Sequence, residues 1–229
     1  MKINIKGAII PNEDKWIYDL FGMDNVTPGE VVAAIESNTD GVLDIDINSG
    51  GGDIGCGSEI YAAIQSFRGR VNIHVVGYAC SAASVIACAG HSDMVRTGLF
   101  MYHNVSSAAR GDYHAMDHES QVLQAANRAI AAAYTAKTGM DETTLLEQMD
   151  AETWITAEDA VKLGFIDEIA ENKNLKLHNA GFGLLSQETI ERIRNERNPQ
   201  PQTTGMTPAE RQRAENRLKL LSMKVRNLT

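Results

Sequence analysis

The residues with most chemistry to offer lie where an apolar strand gives way to a run of tiny side chains, Gly77-Tyr78-Ala79-Cys80-Ser81-Ala82-Ala83-Ser84. A serine at such a helix start sits at the positive end of the helix dipole, and a neighbouring N–H can face a developing oxyanion. To act as a nucleophile it needs a base. His103, 22 residues after Ser81 and at the end of the apolar segment Leu99 to Tyr102, is placed to meet it from the adjacent βα unit. Each residue also has a plain structural reading, the serine as an N-cap and the histidine as a hydrogen-bonded structural residue. Upstream, Gly50-x-Gly52-x-x-Gly55 follows a strand and opens a helix, as a dinucleotide-binding turn would. The acidic residue that fold needs about 20 positions on is replaced by Val75, Val76 and Gly77, and Asp53 puts negative charge where pyrophosphate would sit. Glycines at a strand end have another use. Without a Cβ, the backbone can approach a reacting carbonyl and donate N–H groups to its oxyanion.

Metal and redox chemistry find less support. His114 and His118 are spaced i, i+4, as zinc ligands on a helix can be, but position 115 is Ala where a metalloprotease helix needs Glu. They read as solvated helix-face residues. Cys56, Cys80 and Cys88 are odd in number and form no CxxC pair, which argues against a disulfide framework or zinc site and for a reducing cytoplasm. No metal or other cofactor is expected. Trp154 reads as a core or interface anchor, or as a substrate contact.

The elements that must position these residues alternate. Lys2 to Ile10 reads as a strand, and Thr27-Pro28-Gly29-Glu30 is a capping box with Pro at the first helical position. Leu43, Ile45 and Ile47 alternate with Asp44, Asp46 and Asn48, the period of a strand with one wet face. Ser58 to Phe67 then reads as a helix, Val71 to Val76 as a buried strand, and Ser81 to Ala89 as a short helix of small residues. Short strands around Met94 to Arg96 and Leu99 to His103 precede a long Ala-rich helix, His114 to Thr138, closed by Gly139. Asp141 and Thr156 cap two more helices, and Phe165 to Ile169 makes a final strand. This order predicts an α/β domain over residues 1–178. Residues 179–206 form an extension and a polar, Pro-containing linker. Residues 207–229 form a basic amphipathic helix, opened by the capping box Thr207-Pro208-Ala209-Glu210, with Ala214, Leu218, Leu221, Val225 and Leu228 on one seam.

The 229 residues, 43% hydrophobic and 22% charged, suit a globular domain with an appendage and exclude collagen-like or wholly disordered chains. A net charge of −9 argues against nucleic acid or anionic membrane as a partner. The sign changes along the chain, since residues 207–229 carry six cations against two acids. The longest apolar candidate, Gly77 to Gly90, is too short to span a bilayer. Charges in MKINIKGAIIPNEDK interrupt any secretory h-region, so a cytoplasmic location is expected.

GYACSAASVIACAG, preceded by DIDINSGGGDI and followed by FMYHNV and AETWITAEDAVKLGFIDEI, resembles the ClpP family of serine proteases, nearest its phage- and prophage-encoded head maturation branch. Four motifs agree in order over about residues 3 to 170. The resemblance implies a ClpP/crotonase-like α/β fold, a ββα superhelix, with a flexible or helical C-terminal tail. It puts the nucleophile on Ser81 in the family's G-x-A-A-S pattern; Ser84 repeats the look but stands too close to Ala89-Gly90 and is the decoy. His103 matches the family histidine. The acid falls on Glu152, where the family usually has Asp, with Asp150 as the alternative, and Glu can also orient an imidazolium. Oxyanion donors would be the N–H groups of Gly52 and Ala82, and Gly50 replaces the proline usual in that turn.

The implied activity is a serine endopeptidase acting on peptide or protein substrates inside a homo-oligomeric ring, with a role in phage capsid maturation by analogy. The long helix would make contacts between rings. The first strand begins almost at Met1 where the family carries an N-terminal extension, which tells against docking to an ATP-driven unfoldase. Two rivals remain: a crotonase-type acyl-CoA hydratase or hydrolase, which needs no Ser81 and His103 pair, and an inactive scaffold-like protein whose basic tail binds a partner.

Overall fold

The computed structural model describes residues 1–170 and 183–197 and divides into two compact units, Met1–Leu184 and Leu185–Thr229. The first unit holds β1 (Lys2–Ile9), a 3-10 turn (Asn12–Asp14), α1 (Lys15–Leu20), β2 (Asn25–Val26), α2 (Pro28–Glu36), β3 (Val42–Gly52), α3 (Ile54–Ser66) and β4 (Arg70–Cys80). These are followed by α4 (Ala82–Ala87), β5 (His91–Met94), β6 (Leu99–Tyr102), α5 (Tyr113–Thr138), α6 (Glu142–Asp150), β7 (Thr153–Thr156), α7 (Ala157–Lys162) and β8 (Glu168–Ile169). In the second unit the described element is α8 (Gln187–Arg197). Of the expected extension and linker at 179–206, residues 179–182 and 198–206 lie outside the described residues, as does the expected helix at 207–229.

An α/β fold results. The strands run β2-β1-β3-β4-β5-β8, all parallel, with β6 parallel to β4 and β7 antiparallel to β6. Alternation works as read on the core face: Leu43, Ile45 and Ile47 are fully buried, with Ile5, Ile73 and Val75 from the flanking strands. The opposite face is drier than its polar sequence suggested. Asp46 and Asn48 are buried, Asp46 against Lys2 at 2.8 Å and Asn48 against the next strand.

Helix signals were read well where a side chain makes them. Thr27 closes both halves of its capping box with Glu30, Asp141 and Thr156 cap α6 and α7, and Gly139 takes the left-handed conformation after α5. Boundaries moved elsewhere. α3 starts at Ile54 rather than Ser58, capped by Asp53, whose carboxylate accepts from the Cys56 N–H. Its early turn carries Gly55 and Gly57, poor helix formers; a Cβ on Gly57 would lie 2.9 Å from that of Ala82, so the glycine lets α3 and α4 meet. β5 runs over His91–Met94, earlier than expected, and the last strand shrinks to Glu168–Ile169 while Phe165 and Ile166 turn into the core.

The largest correction concerns β4, which runs to Cys80 instead of ending at Val76. Its first half, Asn72 to Val75, pairs with β5, and its second half, Tyr78 to Cys80, pairs with β6. The switch occurs at an irregularity in the β3 register, where Ile47 faces Val75 but Ser49 faces Ala79. There the Tyr78 N–H donates to Asn48 Oδ1 at 3.0 Å. A Cβ on Gly77 would sit 2.4 Å from the same oxygen, and one on Gly98 2.8 Å from the Gly77 carbonyl, so both glycines permit the crossing. Among the described residues no helix is long and apolar enough to cross a membrane.

Two outcomes test this frame. Asn48→Ala removes the side-chain acceptor of the Tyr78 N–H and should lower unfolding free energy by about 1–3 kcal/mol, read by urea denaturation. On the polar face, His74 Nδ1 lies 2.8 Å from Asp93, and that hydrogen bond, with the charges of Asp93, Asp46 and Asp44, raises the His74 pKa against the opposing effect of burial. A raised folded pKa gives stability that is full below the ordinary value of about 6.5 and lost as pH climbs through the folded one. The stability gap between wild type and His74→Gln should therefore be wider at about pH 5.5 than at about pH 8.5.

Candidate active site

Strand pairing brings the two chemical residues together. β4 and β6 are parallel neighbours with Cys80 opposite Met101, so the residues leaving their C-terminal ends, Ser81 and His103, emerge side by side. The Ser81 N–H donates to the Met101 carbonyl at 2.9 Å, which extends the pairing to the turn itself. His103 Nε2 lies 2.9 Å from Ser81 Oγ, a hydrogen bond and a proton-transfer distance. Ser81 has φ 54 and ψ −125, a conformation that a residue with a Cβ adopts at a cost of about 1–3 kcal/mol. α4 begins at the next residue, so the Ala82 N–H is among the first-turn donors that no intrahelical carbonyl takes.

The glycine turn is pressed against this serine. Gly51, at φ 96, has no room for a side chain: a Cβ would lie 2.7 Å from both the Ser81 Cβ and the Cys80 carbonyl. Its N–H is already committed to Ser49 Oγ at 3.0 Å, and the same hydroxyl donates to the Gly7 carbonyl at 2.6 Å. Gly52 pairs with Ile9 at the end of the β1 ladder, where a Cβ would fall 2.1 Å from the Ile9 carbonyl oxygen. Ser49, fully buried, thus ties the turn to β1. Sequence reading passed over it; the signal was a small polar residue between an apolar strand and three glycines.

The cysteines do not compete. Burial pushes the thiols of Cys56, Cys80 and Cys88 up to about 12, so none is a thiolate near neutral pH. Ser84 is fully buried and away from the imidazole: its hydroxyl donates to the Ser81 carbonyl at 2.6 Å and pairs with Tyr134 Oη at 2.7 Å.

Asp150 ends α6 and Glu152 lies on the turn from α6 into β7, which pairs Thr153 with Tyr102 and so brings the turn to the His103 end of β6. Neither carboxylate is hydrogen-bonded to the imidazole among the described residues. Glu152, exposed and at φ 49, accepts from the Trp154 indole N–H at 3.1 Å, while Asp150 accepts from the Asn104 amide at 2.6 Å. Trp154 is thereby placed at the site's edge, 46% exposed rather than in the core. The segment after His103 is held by α5, whose Asn127 Oδ1 accepts from the Val105 N–H at 2.7 Å.

Among the described residues no three His, Cys, Asp or Glu side chains gather as metal ligands would. His114 and His118 are both exposed on α5. The arrangement can do general-base chemistry on a hydroxyl, with backbone donors beside it.

The family model described as Clp protease matches residues 25–173, a stretch that takes in the glycine turn, Ser81, His103 and both candidate acids. That is more than half of the chain, which therefore belongs to the Clp protease family, and at that level its function is proteolytic.

Proposed function

We propose that this protein is a serine endopeptidase in which Ser81 attacks the scissile carbonyl and His103 takes its proton. The observation carrying this reading is the 2.9 Å separation of His103 Nε2 and Ser81 Oγ at the ends of paired strands. The N–H groups of Gly52 and Ala82 hold the oxyanion; Gly51 is a poorer donor because Ser49 already occupies its N–H. His103 returns the proton to the leaving amine, and water, deprotonated by the same imidazole, resolves the acyl-enzyme. Loss of one oxyanion donor typically raises such a barrier by about 3 kcal/mol, so the glycine turn supplies a substantial share of the rate, though less than the base.

Glu152 is the orienting acid in this scheme, on the strength of its place in the AETWITA motif, with Asp150 as the alternative. Its carboxylate would exchange the Trp154 indole for His103 Nδ1. Family membership also supports a peptide or protein substrate and a homo-oligomeric ring, and the resemblance to the phage-encoded branch supports cleavage of capsid proteins during head maturation.

Ser81→Ala should abolish both peptide cleavage and fluorophosphonate labelling, while Ser84→Ala should leave the adduct on Ser81, as mapped by mass spectrometry. An adduct on Ser84 alone would overturn the assignment. For the acid, Glu152→Gln should lower kcat by at least about 10²-fold, toward the ~10⁴ typical of a lost triad acid, and Asp150→Asn by no more than about threefold. The reverse order, in steady-state kinetics on a fluorogenic peptide, would transfer the role to Asp150.

A further inference from the structure

Ser84 and Tyr134 make an ordered chain that ends on the nucleophile's own backbone. The Ser81 carbonyl can only accept, so at 2.6 Å the single proton of Ser84 Oγ is committed to it. With that proton spent, Ser84 Oγ accepts from Tyr134, and the Tyr134 O–H is the donor across the 2.7 Å contact. Both side chains are sealed from water, Ser84 fully and Tyr134 to 1% exposure. The Ser81 carbonyl also takes the N–H groups of Ser84 at 2.9 Å and Val85 at 3.4 Å. Three donors therefore converge on the one peptide group whose rotation sets both the strained Ser81 conformation and the direction of the Ala82 N–H. Burial raises the Tyr134 pKa, so the phenol stays a donor throughout the working pH range.

We infer that Tyr134 and Ser84 are positioning residues for catalysis: the relay Tyr134 O–H to Ser84 O–H to Ser81 carbonyl fixes the peptide that aims Ser81 Oγ at His103 and the Ala82 N–H at the oxyanion. The inference rests on the assignment of Ser81 as nucleophile. It gives α5, whose Tyr134 supplies the first donor, a hold on the site through Ser84, 50 residues earlier in the chain.

The test compares Tyr134→Phe, Ser84→Ala and the double variant in the full-length protein. The readouts are the rate constant for fluorophosphonate labelling of Ser81, kcat and KM on a fluorogenic peptide, and the thermal midpoint. Tyr134→Phe keeps the ring and its packing, so it remains informative if Ser84→Ala folds poorly. Ser84→Ala should slow labelling and kcat by at least about tenfold, the factor that 1.36 kcal/mol of barrier represents, with KM unchanged within about twofold. Tyr134→Phe should slow them less, and the double variant should match Ser84→Ala alone, since Tyr134 acts only through Ser84. Lowered midpoints with unchanged labelling rate and kcat would overturn the relay and leave the nucleophile standing, as would fully additive effects. Absence of any Ser81 adduct in the unaltered protein would overturn the serine assignment itself, and the relay with it.

Discussion

One strand serves two neighbours, and the site depends on that division. β4 gives its first half to β5 and its second half to β6, so the chain leaving β6 ends beside the chain leaving β4. Parallel pairing is what makes this useful: both strands point the same way, so their terminal residues share one end of the sheet. Had β6 run antiparallel to β4, His103 would leave toward the sheet's other end. The cost of the switch is a local break in the β3–β4 ladder, and Asn48 offsets it by accepting the Tyr78 N–H there. Gly77 and Gly98 make room where no side chain fits.

Close approach is the second constraint. The glycine turn, α3 and α4 converge around Ser81 with Gly51, Gly57 and Ala82 at the contacts, and α4 is built from residues that are all buried. Packing this tight leaves little room for water, so every polar group inside needs a protein partner. Ser49 and Ser84 meet that need, each bridging to the backbone of a neighbouring segment. Behind them Phe100, Tyr102, Tyr134 and Phe165 form an aromatic cluster with ring centroids 4.7 to 6.2 Å apart, which fixes β6 against α5.

What could be read from sequence divides along the same physical line. Features carried by a short stretch were legible: the alternation at Leu43, Ile45 and Ile47, the capping box at Thr27, the glycine closing α5. So was the serine at the strand-to-helix turn. Features created by distant packing were not. Gly77 looked like the end of a strand because nothing local says that Asn48 will bridge the gap. Asp46 and Asn48 looked wet because their partners, Lys2 and Tyr78, are supplied by other strands. β7 went unread although TWIT consists of strand-favouring residues, because four residues are too few to show a period and only the pairing with β6 defines the strand. The acid is the hardest case: Glu152 and Asp150 are both exposed, two residues apart, and each carboxylate has a different local partner.

The choice of oxygen over sulfur also follows from the strand. Cys80 and Ser81 are adjacent, and an isolated thiol would be the better nucleophile at neutral pH. β4 ends at Cys80, which is fully buried, and the positive-φ turn at Ser81 carries the next side chain toward His103. Burial keeps the thiol protonated, so the intrinsically stronger nucleophile has neither a base nor a route to substrate. A one-residue slip in the pairing of β4 with β6 would move Cys80 into the place of Ser81 beside His103. The Ser81 N–H to Met101 carbonyl bond, which crosses from one segment to the other, opposes that slip. The identity of the proposed nucleophile is thus set by register and burial, with intrinsic reactivity overruled.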